Sequence, residues 1–145
     1  HSKKYDHIRA NFANGDMVGH TGNLSATITA IETVDQCLGE LWKACKESNS
    51  ILLITADHGN ADEMGQWDKK KKCYKKDATG KIIPSTAHSI NPVPVILCDP
   101  QHRIELRGSE GEKIGGLAQI GGSLLDLLGL EVPSHYLSSL IKENS

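Results

Sequence analysis

The 145-residue chain lacks several features that mark particular classes of protein. Its formal net charge is only −2, so bulk charge gives no reason to expect a nucleic acid or an anionic membrane as partner. No apolar run approaches the roughly 20 residues of a membrane-spanning helix, and the charged start has no signal-peptide core. The four cysteines form no CxxC motif, which favours reduced thiols. We therefore expect a soluble, cytoplasmic protein without disulfides.

Hydrophobic periodicity predicts an α/β fold. Apolar residues recur at steps of three and four between about Asn23 and Glu47, which indicates an amphipathic helix capped by Thr21 or Asn23. The unbroken apolar run 50–55 is typical of a strand covered on both faces, as in a parallel sheet. Further strands are expected at 5–12, 92–98 and 102–106, and a further helix at 114–128. The length suits one compact domain with a single core.

A lysine-rich segment interrupts this pattern between residues 65 and 85. It contains seven lysines and a turn signal at Asp77–Gly80, which indicates a surface excursion or a hairpin. Such like-charged segments are usually solvated, and the only accompanying aromatic residues are Trp67 and Tyr74. We therefore expect it to bind no nucleic acid.

Three of the seven histidines stand near aspartates in a pattern suited to metal binding. Asp16 precedes His20 by four residues in a glycine-flanked loop, so one turn of chain can bring both side chains to one ion. Asp57 and His58 follow a buried strand, where ligand sites of open α/β sheets lie. His88 precedes the segment that returns to the sheet. Carboxylate and imidazole ligands hold Zn²⁺ or Mn²⁺ with positions left open for a substrate oxygen, which indicates catalysis.

Four segments resemble, in the same order, the C-terminal part of the cofactor-independent (2,3-bisphosphoglycerate-independent) phosphoglycerate mutase family. They are Asn11–His20, Ile54–Asp62, His88–Val95 and Leu124–Leu130. The resemblance covers almost the whole chain apart from the lysine-rich segment, which is shorter in many relatives. It implies an alkaline-phosphatase-like fold with a mostly parallel sheet flanked by helices. It also implies a glycolytic isomerase that interconverts 3-phosphoglycerate and 2-phosphoglycerate through a phosphoserine.

The same resemblance implies a ligand set for two metal ions. Asp16, His20 and His88 would bind the first ion, and Asp57 and His58 would bind the second. In the family both ions are Mn²⁺, although these ligand types also accept Zn²⁺ or Co²⁺. No organic cofactor is expected.

Two polar residues are expected to support the metal ligands. Asn14 and Asp62 lie next to implied ligands, and we expect them to hold ligand side chains in place.

The substrate would be a small phosphorylated molecule, with no nucleic acid or membrane partner. The full-length protein is expected to be a monomer.

None of the serines lies in a segment that resembles the family's nucleophile motif. The family carries the nucleophilic serine and one further aspartate ligand near its N-terminus, and a transferase domain follows them. We therefore expect residues 1–145 to be the C-terminal segment of the phosphatase domain. We expect this fragment alone to be inactive.

Three alternatives remain open. A phosphopentomutase or a phosphomonoesterase of the same superfamily would share the metal ligands, although the Asn91–Pro94 run after His88 favours the mutase. A non-catalytic metal-binding module would keep the ligands for stability alone.

Overall fold

The computed structural model describes residues 4–108 and 111–142. Its elements are α1 (Asn14–Gly19), α2 (Leu24–Ser48), β1 (Leu52–Thr55), β2 (Trp67–Asp68), β3 (Cys73–Tyr74), β4 (Val95–Cys98) and α3 (Gln119–Leu127). Strand β1 pairs with β4 in one two-stranded sheet, and β2 pairs with β3 in another. The expected mixture of helices and strands is confirmed, whereas a mostly parallel sheet stays a prediction. No helix in the described part of the chain is long and apolar enough to cross a membrane.

The chain divides into two compact units, and the expectation of one domain with a single core stays a prediction. One unit combines residues 11–43 and 55–94, and the other combines the described residues of 1–10, 44–54 and 95–145. Among the described residues, Ala30 and Leu140 are the only buried hydrophobic side chains. The apolar face of α2 is 45 to 57% exposed at Leu24, Ile28 and Ile31. The described elements do not cover this long helix well enough to bury its apolar face.

Helix α2 begins and ends close to its expected bounds because both ends carry sequence signals. Asn23 caps it, since its Oδ1 accepts a hydrogen bond from the Ala26 amide at 3.1 Å. After Ser48 the backbone turns left-handed at Asn49, whose φ is 54°. Asparagine tolerates this conformation better than most residues, so the helix ends there.

Three expected elements differ in the structure. Residues 5–12 form no strand, because no described segment pairs with their backbone, and a strand needs such a partner. The expected strand 102–106 contributes only an isolated bridge from Leu106 to Ile141. Helix α3 begins at Gln119 rather than at residue 114, since the glycines at 115 and 116 disfavour a helix. In the first two cases a missing partner overruled strand propensity, and in the third the low helix propensity of glycine overruled the apolar spacing.

The lysine-rich segment contains the antiparallel hairpin β2–β3 and a second turn, which an isolated bridge from Lys76 to Ile82 closes; together they are called the lysine-rich hairpin below. In its register Trp67 lies opposite Tyr74, and an isolated bridge joins Gly65 to Pro84 at its base. The Trp67 and Tyr74 rings meet edge to face with centroids 5.1 Å apart. The lysines of the hairpin are all exposed. The hairpin therefore leaves and rejoins the rest of its unit at one place.

Ser123 joins α3 to the C-terminal segment. Its side chain is fully buried, donates to the Gln119 carbonyl at 2.8 Å and accepts from the Leu140 amide at 2.8 Å. One hydroxyl thus satisfies both groups and connects the two segments.

Replacing Ser123 with alanine should destabilise the protein by about 1–3 kcal/mol, because the buried Leu140 amide loses its acceptor. Chemical denaturation of the full-length protein measures the change. Ser134→Ala is the matched control, since Ser134 is exposed in the same C-terminal segment. Equal midpoints for the two variants would contradict the role assigned to Ser123.

Candidate metal centre

Asp16 lies on the short helix α1 and His20 is its C-cap residue, both within the unit that contains residues 11–43 and 55–94. This segment was expected to be a loop, so the helix is a correction. Helical geometry brings side chains four residues apart to one face. His20 Nε2 accordingly lies 3.2 Å from Asp16 Oδ1.

His88 completes a triangle of donor atoms with this pair. Its Nε2 lies 3.1 Å from Asp16 Oδ1 and 3.1 Å from His20 Nε2. Ligand atoms that bind one transition-metal ion at about 2.0–2.2 Å are separated from each other by about 2.9–3.5 Å. The three donors therefore have the spacing of one coordination sphere, and a metal ion fits them.

His58 faces the same carboxylate. Its Nδ1 lies 4.0 Å from Asp16 Oδ1, and its ring stacks on His88 with centroids 3.6 Å apart. This Nδ1 is buried and has no hydrogen-bond partner among the described residues. Because burial of an unpaired polar atom is costly, the orphaned nitrogen suits a metal ligand. Donor atoms of Asp16, His58 and His88 all lie within 4.8 Å of one another.

Asp57 lies at the margin of this group. Its side chain is 89% exposed, and its Oδ1 is 3.7 Å from His58 Nε2. The two ring nitrogens of His58 thus face different carboxylates, Asp16 at Nδ1 and Asp57 at Nε2. The structure brings Asp16, His20, His58 and His88 together, with Asp57 beside them.

Asn60 was missed by the sequence reasoning, although it follows Asp57 by only three residues. It is buried, and its Nδ2 donates to Asp16 Oδ1 at 2.7 Å. This bond holds the pKa of the Asp16 carboxyl below its ordinary value, against partial burial, and the nearby histidines add to the effect. A Cβ on Gly19 would overlap Asn60 Oδ1. Glycine at position 19 therefore lets Asn60 reach Asp16.

A backbone carbonyl orients His20. Its Nδ1 lies 2.6 Å from the Thr86 carbonyl oxygen, which can only accept a hydrogen bond. Nδ1 therefore carries the proton, and Nε2 keeps a lone pair on the side of Asp16 and His88. Glycine at position 22 lets the segment that contains Pro84 and Thr86 lie close to His20, because a Cβ there would lie 2.7 Å from Pro84 Cβ. Its φ of 68° also favours glycine.

The two predicted supporting residues differ in their contacts. Asp62 Oδ2 accepts from Ser89 Oγ at 2.8 Å and from Asn91 Nδ2 at 2.6 Å. Partial burial raises the pKa of Asp62, but the bonds from Asn91 and Ser89 bring it below its ordinary value. Asn14 makes no side-chain hydrogen bond within residues 4–108 and 111–142, and its supporting role stays a prediction.

Comparison with known families assigns the chain to one superfamily. The profile of the Metalloenzyme superfamily matches residues 1–132, which is most of the chain. The chain belongs to the Metalloenzyme superfamily.

The chain is similar to proteins named as phosphoglycerate mutases. It is 49% identical over 142 residues to the probable 2,3-bisphosphoglycerate-independent phosphoglycerate mutase of Leptospira interrogans, covering 98% of this chain and 25% of the relative. It is 48% identical over 145 residues to the 2,3-bisphosphoglycerate-independent phosphoglycerate mutase of Trypanosoma brucei brucei, covering 97% of this chain and 25% of the relative. The chain thus spans about a quarter of the length of these relatives.

A solved structure is similar as well. The phosphoglycerate mutase of Leishmania mexicana, crystallised at low cobalt concentration, matches with a TM-score of 0.89 and 43% sequence identity. The match covers 99% of this chain and 26% of that chain. The fold of the chain is therefore similar to about a quarter of that phosphoglycerate mutase.

Proposed function

We propose that this chain is part of a metal-dependent phosphoglycerate mutase that interconverts 3-phosphoglycerate and 2-phosphoglycerate. The observation that carries the proposal is the triangle of Asp16, His20 and His88 donor atoms, with sides of 3.1–3.2 Å. It lies in a chain that is nearly half identical to named mutases over almost its full length. The substrate class is therefore a small phosphorylated carboxylic acid.

Two Mn²⁺ ions are the proposed metals, with Co²⁺ or Zn²⁺ as substitutes. Asp16, His20 and His88 would hold the first ion, and Asp57 with His58 would supply part of the second site. When bound, the ions would offset phosphoryl charge and activate a serine hydroxyl. Within this chain, the bond from Asn60 fixes the Asp16 carboxylate, and the Thr86 carbonyl fixes the proton on His20 Nδ1.

We propose that the chain is the C-terminal segment of a longer phosphatase domain with a mostly parallel sheet. The serine nucleophile, the missing ligand of the second ion and the transferase domain would lie in the remainder of the protein. Support comes from the quarter-length match to the relatives and from the exposed apolar face of α2. A monomer in the cytoplasm is proposed as well, in keeping with four unpaired cysteines.

The test is an assay of the full-length protein with 3-phosphoglycerate, stripped of metal and then supplied with Mn²⁺. We expect 2-phosphoglycerate to form only when Mn²⁺ is present. Release of inorganic phosphate without 2-phosphoglycerate would indicate a phosphomonoesterase instead. Turnover of ribose 1-phosphate alone would indicate a phosphopentomutase. Tight Mn²⁺ binding without any turnover would indicate a non-catalytic module.

A further inference from the structure

We propose that Asp62, Ser89 and Asn91 form a clasp that sets the position of His88 relative to His58 and thereby the metal affinity of the site. Asp62 is then a positioning residue, since it touches the segment that bears His88 rather than a ligand atom. The inference rests on the proposed function for the identity of the ligands. It assigns a role to the side chains of Ser89 and Asn91, to which neither the sequence pattern nor the comparisons give one.

The clasp joins the two segments that carry these histidines. Asp62 follows His58 by four residues, and Ser89 directly follows His88. Ser89 Oγ and Asn91 Nδ2 both donate to the same oxygen, Asp62 Oδ2, at 2.8 and 2.6 Å. Because the acceptor is an ionised carboxylate, both bonds belong to the stronger, charge-assisted class.

A backbone hydrogen bond joins the same two segments. The Ser89 amide donates to the Gly59 carbonyl at 2.8 Å, so the residue after His88 is bonded to the residue after His58. A Cβ on Gly59 would overlap Ser89 Oγ and lie 2.6 Å from Asp62 Oδ1. Ser89 and Asp62 therefore pack directly against the Cα of Gly59, and any side chain at position 59 would push them apart.

The consequence for the site follows from the ring stacking. The His58 and His88 rings lie 3.6 Å apart and nearly parallel, with 16° between their planes. Asp16 and His20 contact the His88 ring itself, and Asp16 also faces His58. The two backbone segments that bear the rings are bonded to each other through residues 59, 62, 89 and 91.

The experiment uses Co²⁺ as the probe on the full-length protein, with Asp62→Ala and Ser89→Ala. We expect each variant to bind Co²⁺ about tenfold more weakly by calorimetry, as is usual when a group that orients a ligand is removed. The visible spectrum of bound Co²⁺ should shift, because it reports the arrangement of its ligands. The melting temperature should change little, since both hydrogen bonds to Asp62 are exposed to solvent.

Two further variants separate positioning from charge. Asp62→Asn keeps an oxygen that can accept both hydrogen bonds, so it should recover most of the Co²⁺ affinity and the wild-type spectrum. Glu63→Ala removes the neighbouring carboxylate, which has no partner within residues 4–108 and 111–142, and should bind Co²⁺ as the wild type does.

Wild-type affinity and spectrum in both Asp62→Ala and Ser89→Ala would overturn the clasp. An equal loss of affinity in Glu63→Ala would overturn it as well, because charge alone would then explain the effect. Failure of the wild-type protein to bind Co²⁺ would overturn the proposed metal site together with the clasp. Co²⁺ binding that depends on the clasp in a protein without mutase turnover would reject only the proposed reaction.

Discussion

Replacing His88 with alanine should weaken the tightest Mn²⁺ site of the full-length protein by more than about 100-fold, since removing a ligand costs more than removing a group that orients one. His88 Nε2 is one corner of the donor triangle and lies 3.1 Å from each of the other two atoms. Without it, Asp16 and His20 leave the first ion with two protein ligands. Mutase turnover at fixed, low Mn²⁺ should fall in parallel.

Calorimetric titration with Mn²⁺ measures this change. His7→Ala is the matched control, because it also removes an exposed imidazole but lies outside the cluster. Unchanged affinity of the tightest site in His88→Ala would count against the assignment of the first ion. A similar loss in both variants would point to a nonspecific effect of losing a histidine.

Replacing Gly19 with alanine should both destabilise the protein and weaken metal binding. The new methyl group would overlap Asn60 Oδ1 and lie 2.9 Å from Asn60 Cγ, so the buried amide must move. Overpacking of this kind costs about 1–3 kcal/mol. The displaced amide would also lose its 2.7 Å bond to Asp16, which leaves that carboxylate free to turn away from His20 and His88.

A double-variant cycle tests this explanation. Asn60→Ala alone should weaken Mn²⁺ binding, because it removes the same hydrogen bond from Asp16. Adding Gly19→Ala to Asn60→Ala should then cost little more in stability or affinity, since the overlapping atoms are gone. Melting temperatures and Mn²⁺ titrations of all three variants give the answer. Additive losses would show that the methyl group acts on something other than Asn60.

Sequence patterns predicted the elements whose determinants are local. The three-and-four spacing of apolar residues and the cap at Asn23 located α2, and the apolar run after Ser50 located β1. The Asp16 and His20 spacing also indicated their proximity, although the helix that produces it was not expected. Each of these signals lies within one stretch of chain, which is why it can be read without the fold.

The remaining features depend on contacts between distant segments. Asn60 bonds to Asp16 across 44 residues, and Asn91 bonds to Asp62 across 29. Such contacts depend on how separate elements approach each other, and no local spacing encodes them. The expected strand at residues 5–12 was wrong for the same reason, because a strand is defined by a partner that lies elsewhere.

The closed base of the lysine-rich hairpin makes its tip a natural attachment point for a reporter. The bridge from Gly65 to Pro84 and the 3.0 Å bond from the Ser85 amide to the Met64 carbonyl hold the ends of the insertion together whatever its length. Exposed polar tips of this kind are the places where chains accept added peptides. A fluorescent tag placed between Lys70 and Lys71 would therefore label the protein without separating His58 from His88.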